Sequence, residues 1–183
     1  MTVVVESTWT APRPDCPHPE WWSSTDPQST EIEVSELVAG FVRALQPEYV
    51  VETGTCIGQT ARMIGEALAA NGHGRLDTLE LDPGRGKVAR AICDGLPVTV
   101  HYGSSLDFTP AAPIGFAWLD SETQLRIPEF QRFRPLMVPG AIVGFHDTAP
   151  HQGPWGRQVE RLPGTRSIRL LTPRGVTFVQ VKA

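Results

Sequence analysis

The sequence has few cysteines, no run of basic residues and no long apolar segment. Its three cysteines, Cys16, Cys56 and Cys93, are widely spaced and form no C-x-x-C pair. An odd number of separated cysteines indicates reduced thiols in a cytoplasm-like compartment, and it disfavours a disulfide framework or a structural zinc site. We therefore expect a cytoplasmic protein.

Charge and hydropathy argue against two further classes of protein. The formal net charge is -4 and the lysines and arginines are dispersed, so general nucleic-acid binding is not expected. Residues 1–6 contain neither a basic region nor a long apolar stretch, so we expect neither a signal peptide nor a membrane span. A chain of 183 residues is long enough to bury a core by itself, and no internal repeat divides it.

Residues 1–30 differ in composition from the rest of the chain. They are rich in proline and contain Trp9, Trp21 and Trp22. The prolines disfavour regular structure, whereas the tryptophans are unusual for a disordered tail. We expect this segment to be a lid over a ligand or a strap packed on the domain, and both interpretations stay open. Residues 31–183 are expected to form one domain.

The first periodic segment predicts a helix. Thr30 followed by Glu33 matches a capping box, and apolar residues then repeat at helical spacing from Val34 to Leu45, until Pro47 ends the pattern. We expect an amphipathic helix that packs on a sheet.

The stretch from Val50 to Ala61 is the most informative part of the chain. Val50 and Val51 suit a buried strand, Gly54 interrupts it, and helical spacing resumes after Gly58. A strand, a glycine turn and a helix place a ligand at the carboxyl end of a parallel sheet, against free backbone N–H groups. This pattern predicts a small-molecule site.

The remaining pattern alternates strands and helices. Apolar strands are predicted at 76–80, 97–102, 114–120 and 141–145, with a turn at Pro139-Gly140 before the last of them. Residues 167–171 and 176–181 flank Pro173-Arg174-Gly175 and predict an antiparallel hairpin. We expect an α/β fold, a Rossmann-like doubly wound sheet of about seven mostly parallel strands, with helices on both faces.

The glycine turn distinguishes between ligands. A dinucleotide turn reads G-x-G-x-x-G, whereas this chain has E-x-G-x-x-x-G, with Glu52, Gly54 and Gly58. A carboxylate in that turn repels a pyrophosphate but suits an ammonium or sulfonium group. Together with Glu80 at the end of the next strand, the pattern resembles motif I of the class I S-adenosylmethionine-dependent methyltransferases. The resemblance covers nearly all of residues 31–183.

The resemblance implies that S-adenosylmethionine is the cofactor and that its amino-acid part contacts Glu52, Gly54, Thr55 and Gly58. Glu80 would accept hydrogen bonds from the two ribose hydroxyls, as it would from those of NAD. Ser104 or Ser105 stands where this family reads the adenine, although an ordinary strand-to-loop turn is the alternative.

Three side chains follow the fourth and fifth strands, namely Asp120, His146 and Asp147. In a doubly wound sheet they should converge beside the reactive end of the cofactor. Two carboxylates and an imidazole can hold Mg²⁺ or another divalent cation and leave positions open for substrate oxygens. The placing resembles Mg-dependent O-methyltransferases of the catechol type and of the antibiotic sugar type, a grouping that includes cephalosporin-hydroxylase-like proteins.

Two departures from that grouping leave the metal open. Thr123 stands where catechol-type enzymes carry a lysine, and Ser121-Glu122 stands where sugar-type relatives carry a histidine. Without a metal, His146 is the candidate general base, with Asp120 and Asp147 as the other catalytic candidates. The alternative is that His146 and Asp147 bond each other and cap a loop.

The resulting hypothesis is an S-adenosylmethionine-dependent methyltransferase that methylates a small molecule, most simply on oxygen. Two alternatives stay open, an NAD-dependent oxidoreductase and a non-catalytic cofactor-binding or scaffold domain of the same fold. The expected partner is a small-molecule substrate, and a homodimer is one of the open oligomeric states.

Overall fold

A seven-stranded sheet organises the chain in the computed structural model, which describes residues 11–182. In chain order the strands are β1 (Tyr49–Thr53), β2 (Arg75–Glu80), β3 (Val98–Tyr102), β4 (Ile114–Leu119), β5 (Met137–His146), β6 (Thr165–Leu170) and β7 (Val176–Val181). The sheet order is β3-β2-β1-β4-β5-β7-β6. Strands β1 to β5 are parallel, and β7 pairs antiparallel with both β5 and β6. The expected fold class is confirmed.

Helices cover both faces of the sheet. They are α1 (Ile32–Leu45), α2 (Gln59–Asn71), α3 (Pro83–Ile92), α4 (Arg126–Phe133) and the short α5 (Trp155–Val159). Val50 of β1 packs in one buried cluster with residues of α1 and α2, whereas Val51 packs in a second cluster with residues of α4 and α5. Adjacent strand residues thus point into different cores, which explains why the strands are apolar without alternation. Among the described residues, no helix has the length and apolarity needed to cross a bilayer.

The prediction of a turn at Pro139-Gly140 was wrong, because both residues lie inside β5. Ile114 of β4 pairs with Met137 and Phe116 pairs with Ile142, so the β5 side of the pairing carries extra residues. A proline lacks the N–H that a strand ladder needs, and a bulge is a place where a sheet accommodates one.

The capping box expected at Thr30 and Glu33 was also wrong. Helix α1 has Glu31 at its N-cap position and no side-chain cap. The Thr30 hydroxyl donates instead to Asp120 Oδ2 at 2.5 Å, and Glu33 Oε2 accepts from the backbone N–H of Ser23 at 2.9 Å. Tertiary contacts therefore replace the local cap.

Part of the N-terminal segment can be described. Residues 1–10, which include Trp9, lie outside the described residues. Trp21 stacks on His18 with 4.4 Å between ring centroids and is 67% exposed. Asp26 organises the turn that follows, since its carboxylate accepts from the N–H groups of Gln28 and Ser29 at 2.8 and 3.0 Å. The segment then enters α1.

The turn after β1 depends on Gly54. Its φ is 78°, and a Cβ at this position would lie 2.2 Å from the carbonyl oxygen of Asp120. Gly72, at the end of α2, has the same φ of 78°, but a Cβ there would meet nothing within 4 Å. The two glycines share their backbone conformation and differ in how closely the chain approaches them.

Replacing these two glycines separates backbone strain from steric exclusion. Gly72→Ala should lower the free energy of unfolding by about 1–2 kcal/mol, the cost of a left-handed non-glycine residue. Gly54→Ala should cost about 1–3 kcal/mol more, because the new methyl group collides with the backbone of Asp120. Urea unfolding measures both variants. Equal losses would contradict the close approach of Asp120 to the turn.

Candidate functional site

A cleft of about 680 Å³ opens at the carboxyl ends of the central strands. It lies where β1 and β4 are neighbours and the chain order of the sheet reverses, which is where open α/β sheets bind ligands. The residues predicted from the sequence that line it are Gly54, Thr55, Glu80, Ser104, Ser105, Asp120 and Asp147. Residues 27–30 of the N-terminal segment form part of its wall.

Glu80 is held in place at the end of β2 by backbone donors. Its Oε2 accepts from the N–H of Cys56 at 2.7 Å, and its Oε1 accepts from the N–H of Asp82 at 2.9 Å. A carboxylate offers about four lone-pair positions, so both oxygens retain acceptor capacity, and Glu80 lines the cleft. Two such oxygens are able to accept from a pair of vicinal hydroxyls.

Glu52 differs from the expectation. It lies within β1 rather than in the turn, is 1% exposed, and does not line the cleft. Its Oε2 accepts from the hydroxyl of Thr78 at 2.5 Å, and Thr78 in turn bonds Thr55 at 2.5 Å. Burial raises the pKa of Glu52 to about 8, and the Asp120 and Glu80 carboxylates add to that rise. Burial therefore favours the neutral form of Glu52, which supports the turn after β1 through Thr78 and Thr55. A contact between Glu52 and the cofactor stays a prediction.

Ser104 and Ser105 line the cleft but use their hydroxyls internally. Ser104 Oγ accepts from the N–H of Leu106 at 3.2 Å, and Ser105 Oγ donates to the carboxylate of Glu129. Glu129 is fully buried on α4 and also accepts from Thr53 Oγ1 at 2.9 Å. Sequence reasoning missed Glu129, which ties the loop after β3 to the end of β1. A role for the serines in adenine binding stays a prediction.

The expected convergence of Asp120, His146 and Asp147 is present. Each residue offers an oxygen or nitrogen atom, and these atoms lie within 4.8 Å of one another. The strand order explains this, since β4 and β5 are adjacent and end at the same edge of the sheet. Asp147 is held with a φ of 57°, so the chain turns sharply as it leaves β5.

Sequence reasoning missed three charged residues that complete this cluster. They are Glu31 before α1, Arg126 at the start of α4, and Arg174 between β6 and β7. We call the six residues Glu31, Asp120, Arg126, His146, Asp147 and Arg174 the charge network. Arg126 Nη2 bridges Asp120 Oδ1 at 3.0 Å and Asp147 Oδ2 at 2.8 Å. Arg174 binds both oxygens of Asp147, through Nε at 2.5 Å and Nη2 at 2.9 Å.

His146 lies between two carboxylates. Its Nδ1 is 3.0 Å from Asp120 Oδ1 and its Nε2 is 2.5 Å from Glu31 Oε2. Burial alone would lower its pKa, but the carboxylates of Asp120, Glu31 and Asp147 raise the pKa to about 10. The ring is 0% exposed and does not line the cleft. An enclosed imidazole between two carboxylates favours a structural role, and the role of general base for His146 stays a prediction.

The carboxylates respond in the opposite direction. Burial alone would raise the pKa values of Asp120 and Asp147, but His146 and Arg126 hold both below the usual range. As arranged, the donor set of Asp120, His146 and Asp147 does not fit a divalent cation, because the guanidinium groups of Arg126 and Arg174 already bond the two carboxylates. The geometry supports ion pairing among protein side chains at this position.

Comparison with known families identifies the domain. A sequence model of a family described as a methyltransferase domain matches residues 51–148, more than half of the chain. The chain belongs to this methyltransferase family. The matched segment contains the turn after β1 and the site residues Glu80, Asp120, His146 and Asp147. No curated protein sequence matches the chain.

Solved structures of methyltransferases share the fold of this methyltransferase domain. An O-methyltransferase from Bacillus cereus in complex with SAH has a TM-score of 0.73 at 18% identity, with 86% of this chain and 84% of that chain covered. The O-methyltransferase TomG from Streptomyces achromogenes, in complex with SAM, has a TM-score of 0.71 at 22% identity over 85% and 82%. The SAH-bound Podospora anserina methyltransferase PaMTH1 has a TM-score of 0.72 at 15% identity over 87% and 82%. At these identities the likeness establishes the fold.

The charge state of His146 can be measured directly. With its pKa raised from 6.5 to about 10, the stability that its charge contributes is present below pH 6.5 and is lost as the pH rises toward 10. Nitrogen-15 chemical shifts of the imidazoles should show His146 still protonated at pH 8. His151 serves as the internal control, because partial burial and Arg13 lower its pKa. A neutral His146 at pH 7 would contradict the charge network.

Proposed function

We propose that this methyltransferase transfers the methyl group of S-adenosylmethionine to a small molecule, on oxygen. The observation that carries the proposal is Glu80, fixed by two backbone N–H groups at the end of β2 and open to the cleft. The structures from Bacillus cereus and Streptomyces achromogenes, described as complexes with SAH and SAM, support the cofactor, and their names support oxygen as the acceptor. A cytoplasmic location belongs to the same proposal.

Each part of the cofactor has a matching part of the cleft. Glu80 binds the ribose hydroxyls, and the loop with Ser104 and Ser105 binds the adenine. The amino-acid part lies against the turn from Gly54 to Gly58. Gly58 is the N-cap of α2 and supplies no side-chain cap, so the first N–H groups of the helix are suited to a carboxylate.

The acceptor lies beside Asp120 and Asp147. Methyl transfer is a displacement in line with the sulfonium: the acceptor oxygen forms a bond to the methyl carbon, the carbon–sulfur bond breaks, and the oxygen loses its proton. Because His146 is enclosed and does not line the cleft, the charge network aligns the acceptor hydroxyl through the carboxylate of Asp120, whereas the proton leaves to solvent in the cleft. Alignment then supplies most of the catalysis.

We further propose that residues 25–30, here called the strap, form one side of the cofactor site. This is the covering role of the lid interpretation, one of the two that the sequence left open. Thr25 Oγ1 donates to Gln59 Oε1 at 2.8 Å, and Gln28 accepts from Arg85 of α3. Thr30 then reaches Asp120. These contacts extend across the cleft from the start of α2 to the end of β4.

Calorimetric titration with S-adenosylhomocysteine tests the cofactor assignment. Wild-type protein should bind it, and Glu80→Ala should weaken binding at least about tenfold, because two charge-assisted hydrogen bonds are lost. Glu66→Ala is the matched control, since Glu66 is an exposed acid on α2 that pairs with Arg62 at 2.5 Å outside the cleft.

The same titration separates the alternatives. NADH in place of S-adenosylhomocysteine should give no binding, since the glycine spacing and the matched family both disfavour a nicotinamide cofactor. Preference for NADH would overturn the proposal in favour of an oxidoreductase, and unchanged affinity in Glu80→Ala would remove the ribose assignment. Binding without methylation of any acceptor in a substrate screen would favour the non-catalytic domain.

Substitutions in residues 25–30 test the strap. The double variant Thr25→Val with Gln28→Ala should increase the dissociation rate of S-adenosylhomocysteine severalfold, because its contacts to Gln59 and Arg85 are lost. Stopped-flow measurement of dissociation provides the readout. Trp21→Ala is the control within the same segment, since Trp21 is outside the cleft lining. Equal rates in all three proteins would show that residues 25–30 do not cover the cofactor.

A further inference from the structure

We propose that Arg126 and Arg174 take the place of a divalent cation between Asp120 and Asp147, so that this methyltransferase binds its acceptor without a metal. The part of this inference that concerns the acceptor rests on the proposed function. The part that concerns the cation rests on the charge network alone.

The Asp147 carboxylate has its ligand positions filled by protein donors. Arg174 binds it in a bidentate manner, through Nε to Oδ1 at 2.5 Å and Nη2 to Oδ2 at 2.9 Å. Arg126 Nη2 adds a bond to Oδ2 at 2.8 Å, and Gln152 Nε2 adds one to Oδ1 at 3.3 Å. Four donors on two oxygens satisfy a carboxylate, and planar guanidinium groups match its geometry better than a point charge does.

The hydrogen-bonding positions of Asp120 and His146 are also occupied by protein groups. Asp120 Oδ1 accepts from Arg126 at 3.0 Å and lies 3.0 Å from His146 Nδ1, while Oδ2 accepts from Thr30 at 2.5 Å. His146 directs its other nitrogen, Nε2, to Glu31 Oε2 at 2.5 Å. His146 Nδ1 also lies 3.8 Å from Asp147 Oδ2, so it faces the position that a cation would share with both aspartates. Arg126 Nη2 bonds the same two oxygens, Asp120 Oδ1 and Asp147 Oδ2, and so takes that position.

Arg126 is fixed independently of the two aspartates. Its Nε donates to the carbonyl of Ser121 at 2.7 Å, and its Nη1 donates to the carbonyl of His146. The guanidinium carbon lies 5.4 Å from the centre of the Trp155 ring, and the side chain is 3% exposed. Arg126 would have to leave these contacts with Ser121, His146 and Trp155 before a cation could take its place between the two aspartates.

The network already contains cations at the place of a metal. Arg126 bridges the Asp120 and Asp147 carboxylates at 3.0 and 2.8 Å, and Arg174 binds both oxygens of Asp147. A divalent cation placed there would lie beside two guanidinium groups, and the repulsion between like charges opposes its binding.

Substitution of a cation by guanidinium groups has a consequence for the acceptor. A metal would recognise two neighbouring substrate oxygens by chelation. Asp120 lines the cleft, and its Oδ2 accepts from Thr30, which leaves a lone-pair position on that oxygen for a substrate hydroxyl. A single hydroxyl is therefore sufficient for an acceptor in this site, and a vicinal pair is not required.

Manganese titration of the whole chain tests the proposal, with Mn²⁺ followed by electron paramagnetic resonance and by thermal unfolding. Wild-type protein should show no saturable Mn²⁺ binding at micromolar concentrations and no change in Tm. Arg126→Met with Arg174→Met removes both guanidinium groups from Asp120 and Asp147, so this variant should gain saturable Mn²⁺ binding and a Tm that rises with Mn²⁺. Arg157→Met, at an exposed position on α5, is the matched control and should behave as wild type.

Saturable Mn²⁺ binding by wild-type protein that is lost in Asp120→Asn would overturn the proposal. If the double arginine variant does not fold, the wild-type titration still decides the question, and Arg174→Met alone repeats the test. S-adenosylhomocysteine is titrated in the same samples with excess EDTA and with Mg²⁺. If S-adenosylhomocysteine binds only in the presence of Mg²⁺, the metal-free inference is wrong and the proposed function is retained. If S-adenosylhomocysteine binds in neither buffer, the proposed function is wrong and the Mn²⁺ result is unaffected.

Discussion

The buried balance between three carboxylates and three cations at the ends of β4 and β5 holds the site together. A buried charge without a partner costs several kcal/mol, so each member of the charge network requires the others. The members come from different elements: Glu31 precedes α1, Arg126 begins α4, and Arg174 lies between β6 and β7. The balance therefore fixes the N-terminal segment, a crossover helix and the terminal hairpin around one cleft.

The acids near the cleft show how environment assigns a role to one chemical group. Glu80 is held by backbone N–H groups and keeps acceptor capacity toward the cleft. Glu52 is buried without a cation, and burial raises its pKa to about 8, which favours the neutral form. Asp147 is also buried, but His146, Arg126 and Arg174 outweigh the effect of burial and lower its pKa, which favours the ionised form. Backbone hydrogen bonds thus position Glu80, whereas desolvation and ion pairing act on the other two acids.

The sequence predicted the sheet and the meeting of Asp120, His146 and Asp147, because parallel strands end at one edge and apolar runs locate the strands. It did not predict Arg126 or Arg174, since an arginine in the first turn of a helix or in a hairpin turn gives no signal that its long side chain bends inward. The sequence placed Glu52 in the turn rather than in β1, because a sequence pattern does not locate the boundary between strand and turn to one residue. Thr30 matched a capping box, but its hydroxyl found Asp120, a partner that is 90 residues away.

The N-terminal segment and the charge network are joined at adjacent residues, and this limits how the cleft can open. Thr30 bonds Asp120, and the next residue, Glu31, bonds His146 and the backbone N–H of Arg174. Movement of this pair would leave His146 and Arg174 without Glu31, at the cost of a buried ion pair. Thr25 and Gln28 face no such cost, since their contacts to Gln59 and Arg85 are exposed. Ser29 belongs with the fixed part, because it is buried and its carbonyl accepts from Arg174 Nη1 at 3.2 Å. If the strap opens for cofactor exchange as proposed, it therefore pivots before Ser29, while the acceptor side of the site stays assembled.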